Sequence, residues 1–284
     1  MQAIIDIGSN SVRLMMYRGE LITPKIIRTT MLAENLQNTG FLSNEAMART
    51  LQAIVFFVEK AKTENADTIR IFGTEAMRSA KNAGDFRLEI EKATALPVTI
   101  LSGNEEAKLG LLGVYNAFKP SNEITVVDIG GASVEVIRGD DKRVTYVKSL
   151  PLGVARLKNM AGDNRSDIEK LVKSRLHEFG IISGIEGIAI GGTATTLASI
   201  ALNQSTYNPY EIHGYELSLG VLDKIATKLF NCKNIPEMFP TVSPQRAKVI
   251  PHGAIMLLYL IDFLGLDSIT VSESDNLEGF LHFI

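Results

Sequence analysis

Two short segments of the chain repeat each other in residues suited to holding phosphate. Asp6-Ile7-Gly8-Ser9-Asn10-Ser11-Val12 matches Asp128-Ile129-Gly130-Gly131-Ala132-Ser133-Val134 at five of seven positions, and each copy follows one apolar run and precedes another. Small residues let backbone N–H groups converge on anionic oxygens, and a serine adds a hydroxyl donor. An aspartate at the strand end can hold a metal ion or its water, offsetting phosphate charge. One copy alone reads equally well as a tight hairpin turn with an acid at its edge. Two copies at matching places in two halves predict a cleft with one turn on each wall.

A third glycine-rich turn, Gly191-Gly192-Thr193-Ala194-Thr195, leads from an apolar run into a helical pattern. The N–H groups of a helix N-terminus suit an anion, so Gly192 and Thr193 join the candidate phosphate binders. Gly73-Thr74-Glu75-Ala76 stands in a similar place in the first half. Glu106 lies in the first turn of a helix, off its apolar face, where the helix end favours the ionised form that a base requires. Glutamate is also common there for dipole reasons alone, which is the reading given to Glu105. Arg78 presents a planar fork of donors that fits phosphate, although an arginine beside Lys81 also suits a solvated surface. Lys108, Arg156 and Arg246 would extend a basic track. His252 is expected to pack or cap at its helix start.

Alternating strand and helix patterns place these residues. Runs 3–7, 12–17 and 25–30 read as a strand meander. Ser43 opens a helix with Met47, Leu51, Ile54, Val55 and Val58 on its apolar face. A strand over 68–72, a helix over 83–95 and a strand over 98–101 follow. Ser102 and Glu105 form a capping box for a helix that buries Ala107, Leu111, Val114, Tyr115 and Phe118. Pro120-Ser121-Asn122 breaks it and marks the expected domain boundary. The plan then restarts: a strand over 124–129, a hairpin of 134–138 with 143–148, a helix capped by Ser166 and Glu169, a strand over 185–190, and helices near 194–202, 218–230 and 244–265. Strand meanders followed by alternating elements, given twice, indicate an α/β protein of two similar domains, 1–120 and 121–274, with residues 275–284 able to complete the first.

Composition narrows the partners. The chain has 284 residues, a net charge of −3 and 21% charged residues, so no global charge favours nucleic acid or a membrane surface. One cysteine, Cys232, fits a reducing compartment. MQAIID lacks a signal-peptide layout, and the apolar run 254–261 is too short to span a bilayer. A cytoplasmic location follows as the expectation.

Two strand–turn–strand phosphate motifs in duplicated α/β domains resemble the actin, sugar-kinase and Hsp70 superfamily. The segments GTEAMRSAKN (73–82), LSGNEEAKLGLLGV (101–114), VVDIGGASVEVI (126–137), SLPLGVARL (149–157) and GGTATTLA (191–198) resemble the exopolyphosphatase and guanosine-pentaphosphate phosphatase family, in the family's order and over nearly the whole chain. The resemblance implies two ribonuclease-H-like (actin-like ATPase) domains flanking a cleft. It also implies hydrolysis of the terminal phosphate of polyphosphate or pppGpp with Mg²⁺ (or Mn²⁺) and water, and a possible homodimer. Motif by motif, it makes Glu106 the catalytic glutamate and Asp128 the aspartate that orients metal and water, with Asp6 as a second metal residue. It makes Gly8, Ser9, Asn10 and Ser11 the first phosphate loop and Gly130, Gly131, Ala132 and Ser133 the second, with Arg78 touching phosphate.

The chain departs from that pattern at three places. Ala132 replaces the loop's third glycine, which is costly where φ must be positive. Lys248 stands where the family has an aspartate, and Asp275-Asn276-Leu277-Glu278-Gly279 lacks the family's arginine. Ending at Ile284, the chain is read as a short two-domain form, poorly processive on long polyphosphate. An ATP-dependent kinase and a non-catalytic sensor of pppGpp, ppGpp or polyphosphate are the competing readings.

Overall fold

The structure is a computed structural model that describes residues 1–19 and 25–281. The chain divides into two compact units, Met1–Leu109 joined by the chain from Phe280, and Gly110–Gly279. Each has its own apolar core.

The first unit holds a five-stranded sheet in the order β3-β2-β1-β4-β5. Its strands are β1 Gln2–Ile7, β2 Ser11–Tyr17, β3 Ile26–Thr29, β4 Thr68–Gly73 and β5 Val98–Ile100. The three-stranded meander is antiparallel, while β1, β4 and β5 run parallel. Helix Asn44–Thr63 is capped by Ser43, whose side chain accepts from the Ala46 N–H. It buries Ala46, Thr50, Ala53, Ile54, Phe57, Val58 and Ala61. Of the expected stripe, Ile54 and Val58 are buried and Met47, Leu51 and Val55 are partly buried at its margin, while Ala46, Ala53, Phe57 and Ala61 complete the buried face. Phe280 lies tilted against Phe72 within this unit, with ring centroids 4.5 Å apart.

The second unit repeats the topology in a six-stranded sheet, β10-β11-β9-β6-β7-β8. Here β6 is Ile124–Ile129, β7 Val134–Gly139, β8 Val144–Leu150, β9 Gly187–Ile190, β10 Glu216–Ser218 and β11 Ser268–Val271. Order and direction from β8 to β11 match those from β3 to β5, which is the ribonuclease-H-like plan given twice, with β10 added antiparallel at one edge. The fold is therefore the α/β class expected from the alternating pattern.

Three local expectations need correction. The division between units falls inside helix Gly103–Phe118 rather than at Pro120-Ser121-Asn122, because the helix already packs into the second unit from Gly110 onward. A Cβ at Gly110 would lie 2.9 Å from the Asn276 side chain, and one at Gly113 would overlap the Asp275 carbonyl. Asn164, not Ser166, caps helix Arg165–Leu176 by accepting from the Asp167 N–H. Region 244–265 is two helices, Pro244–Ala247 and Ile250–Phe263. Pro251 lacks an N–H and is tolerated only in a first turn, so a helix restarts there. The longer helix buries nine residues from Ile250 to Ile261 in the core of its unit. The short strands β10 and β11 escaped notice because three or four residues carry too little periodicity. No helix among the described residues is long and apolar enough to cross a membrane.

His252 ties that core helix to the loop after helix Val154–Ala161. It is 1% exposed, and its Nε2 donates to the Gly162 carbonyl at 2.8 Å. Burial depresses its pKa below 6.5, outweighing the hydrogen bond to Gly162 that favours the proton. The folded state thus binds fewer protons than the unfolded chain once pH falls below 6.5, so stability is full above that value and is lost on acidification. We expect melting temperature to fall as pH drops from neutral towards about 5. His252→Gln should flatten that dependence, which thermal unfolding at a series of pH values will show.

Candidate active site

In the first unit three segments leave the same edge of three adjacent parallel strands. The register pairs Ile7 with Gly73 and Gly73 with Ile100, so β1, β4 and β5 end side by side. From β1 comes turn 8–11, from β4 helix Glu75–Ser79, and from β5 helix Gly103–Phe118. Carboxyl ends of parallel strands are where open α/β sheets place ligands.

The turn after β1 is closed by the Gly8 N–H donating to the Ser11 carbonyl at 3.0 Å. Its other carbonyls are held from behind. Asn10 O accepts from the N–H groups of Thr30 and Met31, and Ser9 O accepts from Ala33. With the carbonyls tied back, the N–H groups of Ser9 and Asn10 and the side chains of Ser9, Asn10 and Ser11 are what the turn offers an anion. Asp6, 2% exposed, is clamped by Arg13, directly opposite on β2. Arg13 Nε donates to Asp6 Oδ2 at 2.8 Å, and Nη2 reaches the same oxygen. The guanidinium thus neutralises the carboxylate that the sequence offered as a second metal residue.

Arg78 and Glu106, chosen separately in the sequence, are partners. Arg78 Nη1 donates to Glu106 Oε2 at 3.0 Å and to the Leu101 carbonyl at 2.7 Å. Its Nη2 donates to Glu75 Oε2 at 2.5 Å. Burial alone would lower the arginine's pKa, but Glu106 and Glu75 together raise it, so Arg78 is a fixed cation. The expected capping box holds the helix start: Glu105 N–H donates to Ser102 Oγ at 3.2 Å and Ser102 N–H to Glu105 Oε2 at 2.7 Å. That hydrogen bonding holds the Glu105 carboxyl below its usual range and leaves Glu106 as the glutamate facing Arg78.

The second unit repeats the arrangement with different charges. Gly130 N–H donates to the Ser133 carbonyl at 2.9 Å, matching the Gly8–Ser11 bond. Gly130 O accepts from Val154 N–H, and Gly131 O from Ala155 and Arg156, so the first turn of helix Val154–Ala161 pins this loop from behind. Ala132 is not among the residues with positive φ. The methyl that replaces glycine there carries no backbone strain, which removes the main cost expected of that departure. Across β6 and β7 the register sets Asp128 opposite Glu135, where the first unit has Asp6 opposite Arg13. Two carboxylates opposite each other on one face repel, and a cation between them relieves this. Among the described residues no cluster of three or more His, Cys, Asp or Glu encloses a metal. Mg²⁺ does not need one, since it is commonly bound by one or two carboxylates with water and substrate phosphate. Asp128 and Glu135 fit that ion.

Helix Gly191–Ala201 starts beside Asp128, which pairs with Ile190 in register. A Cβ at Gly191 would lie 2.5 Å from Asp128 Oδ1, and the residue's φ of +82° also requires glycine. At Gly192 the obstacle is the Arg246 guanidinium, whose Nη2 lies 2.5 Å from where a Cβ would stand. Burial pushes the pKa of Arg246 down, and among the described residues no carboxylate pairs with it. A helix N-terminus without an acidic first turn beside such an arginine suits an anion. The Thr193 hydroxyl, by contrast, is spent on the Ile129 carbonyl at 2.7 Å, leaving its backbone N–H as its contribution.

The chain matches the Ppx/GppA phosphatase family over residues 20–282. It belongs to that family. Among solved structures it is similar to the PPX-GPPA enzyme of Aquifex aeolicus, at 29% identity and a TM-score of 0.84, covering 99% of this chain and 98% of that one. It is similar also to an exopolyphosphatase-like protein, at 25% identity and a TM-score of 0.86, covering 99% and 97%. An exopolyphosphatase from Cytophaga hutchinsonii, at 22% identity, shares the fold with a TM-score of 0.88 over 99% and 96%.

Four residues of this Ppx/GppA member were missed by sequence reasoning as site residues. Arg13 and Glu135 each stand seven residues after a motif aspartate, where an antiparallel two-strand register returns the chain to face it. That signal was present in the repeat. Glu75 lies three residues before Arg78 on one helical turn. Gly153 had no visible role, yet a Cβ there would lie 2.5 Å from Ala132 N and would also overlap Ser133 N. Its φ of −65° is open to any residue, so only this close approach demands glycine. Gly153→Ala should therefore push the second loop off its helix, at a cost of about 1–3 kcal/mol. Chemical denaturation measures the loss, and weaker phosphate binding should accompany it.

The departures near the C-terminus have a local explanation in one case. Leu277 N–H donates to Asp275 Oδ1 at 3.0 Å and Asp275 N–H to Glu278 Oε2 at 2.8 Å, so Asp275-Asn276-Leu277-Glu278 caps its own helix, Asn276–Leu281. Nothing in the structure explains Lys248.

Proposed function

We propose that this phosphatase removes the terminal phosphate of inorganic polyphosphate by Mg²⁺-dependent hydrolysis, and that pppGpp is a second substrate. The observation that carries the reading is the duplicated turn whose carbonyls are tied back by neighbouring N–H groups. Such turns present donors to phosphate oxygens and need no adenosine or acceptor pocket. The similarity to an exopolyphosphatase-like protein supports polyphosphate as the substrate class.

Phosphoryl transfer asks a protein mainly for positioning and charge neutralisation. In this reading turn 8–11 with Arg78 in the first unit, and turn 130–133 with Arg246 at the Gly192 helix start in the second, each offer donors and positive charge to phosphate. Mg²⁺ held by Asp128 and Glu135 would supply further neutralisation of the phosphate oxygens. Glu106 accepts a proton from the attacking water and is held in place by the Arg78 pair.

Phosphate release from short polyphosphate, long polyphosphate, pppGpp and ATP, measured side by side, tests the reading. Glu106→Gln should lower kcat by about 10²–10⁴-fold with KM little changed. Full activity in that variant would remove Glu106 as the base. ADP formed with a phosphorylated acceptor would point to a kinase, and tight binding without phosphate release to a sensor. Separately, Glu135→Gln should raise the Mg²⁺ concentration for half-maximal activity by about tenfold or more, whereas Arg13→Gln should leave it unchanged and lower thermal stability instead.

A further inference from the structure

Arg78 is shared between two carboxylates, and only one of them has a place in the proposed chemistry. Its Nη1 spends two donations, on Glu106 and on the Leu101 carbonyl, while Nη2 is held by Glu75. The Glu75 and Arg78 side chains are 47% and 29% exposed, and Glu106 is 27% exposed. Glu75 opens helix Glu75–Ser79 and Arg78 lies one turn later on it, so the pair is built into a rigid i,i+3 spacing at the end of β4.

We propose that Glu75 is a positioning residue, which holds Arg78 by one edge so that the arginine does not close both edges on Glu106. A guanidinium is a planar fork that favours two parallel bonds to one carboxylate. With Nη2 taken by Glu75, Glu106 receives a single bond from a nitrogen that it shares with Leu101. Arg78 does not draw in the second oxygen of Glu106, and the negative charge of Glu75 offsets the cation at the base. Without Glu75, the fork can turn onto Glu106, the full positive charge falls on one carboxylate, and Glu106 becomes a weaker base.

The contact between Arg78 and Glu75 is also the more exposed of the two, since Glu75 is the more exposed carboxylate. An incoming phosphate oxygen can therefore replace Glu75 on Nη2 while Nη1 keeps Glu106 oriented. Arg78 would then contact phosphate and position the base with different edges of one group. Charged groups around Glu106 include Arg78 and Glu75 from helix Glu75–Ser79, and Glu105 and Lys108 on its own helix. Glu105 is turned to Ser102, and Lys108 is exposed.

This inference rests on the proposed role of Glu106, and its test has a readout independent of activity. The Glu106 carboxyl would be titrated by ¹³C NMR in the wild type, Glu75→Gln and Glu75→Asp, with Glu106→Gln identifying the resonance. Glu75→Gln keeps size and hydrogen bonding but removes the charge. Its Glu106 midpoint should fall by about one pH unit. The acid limb of the kcat profile on short polyphosphate should move the same way, with kcat lowered about tenfold and KM within about twofold. Glu75→Asp should restore part of both shifts.

An unchanged Glu106 midpoint in a folded Glu75→Gln protein would overturn the proposal, as would a loss of kcat without any movement of the acid limb. A shifted midpoint in a protein where Glu106→Gln keeps full activity would leave the electrostatic coupling standing and sink the role of Glu106 as base.

Discussion

Everything at the candidate site depends on backbone carbonyls being pulled out of the way. A tight turn presents both donors and acceptors, and an acceptor facing phosphate repels it. Here the carbonyls of Ser9 and Asn10 are occupied by residues 30–33, and those of Gly130 and Gly131 by residues 154–156. What faces outward is then a set of donors. The constraint explains Gly153, where a side chain would separate the helix start from the loop it holds. It also explains how Ala132 is accommodated, since the loop is shaped from behind by hydrogen bonds rather than by a left-handed residue at that position.

The two copies of this device share a backbone and differ in charge. Seven residues after each aspartate, the antiparallel register returns a side chain to its face, arginine in one copy and glutamate in the other. Asp6 is thereby neutralised inside the protein, because a buried carboxylate needs a partner. Asp128 instead faces a second carboxylate, Glu135, which accepts from Ser149 Oγ at 2.5 Å. The same cross-strand position thus carries opposite charge in the two copies without a change of fold.

Much of this was legible in the sequence, for reasons that differ by residue. The repeat was visible because the turn's function is carried by small residues in fixed order, and the duplicated topology followed from alternating patterns long enough to carry periodicity. The Ser102–Glu105 box was readable because both partners lie within one turn. The Asp275–Glu278 box has the same spacing, but it opens a helix, Asn276–Leu281, too short to announce itself. Partnerships across strands and between elements were not legible. Arg78 and Glu106 were each singled out, but nothing in the intervening residues shows that β4 and β5 end side by side and bring their helices into contact. The expected long helix over 244–265 failed on one residue, Pro251, whose effect depends on whether it sits in a first turn or an interior one.

The pairing of Arg78 with Glu106 changes what each residue can be asked to do. An arginine free in solvent would be a simple phosphate clamp, and a glutamate free in solvent a base of ordinary strength. Joined, they oppose each other, since the charge that orients the carboxylate also weakens it as a base. An arrangement that needs both orientation and basicity must limit how much of the guanidinium the carboxylate receives. The Leu101 carbonyl and Glu75 do so by taking donors from the same arginine. In the proposed reading, holding phosphate is a property of the repeated backbone, whereas the chemistry on it rests on this unrepeated cluster at the ends of β4 and β5.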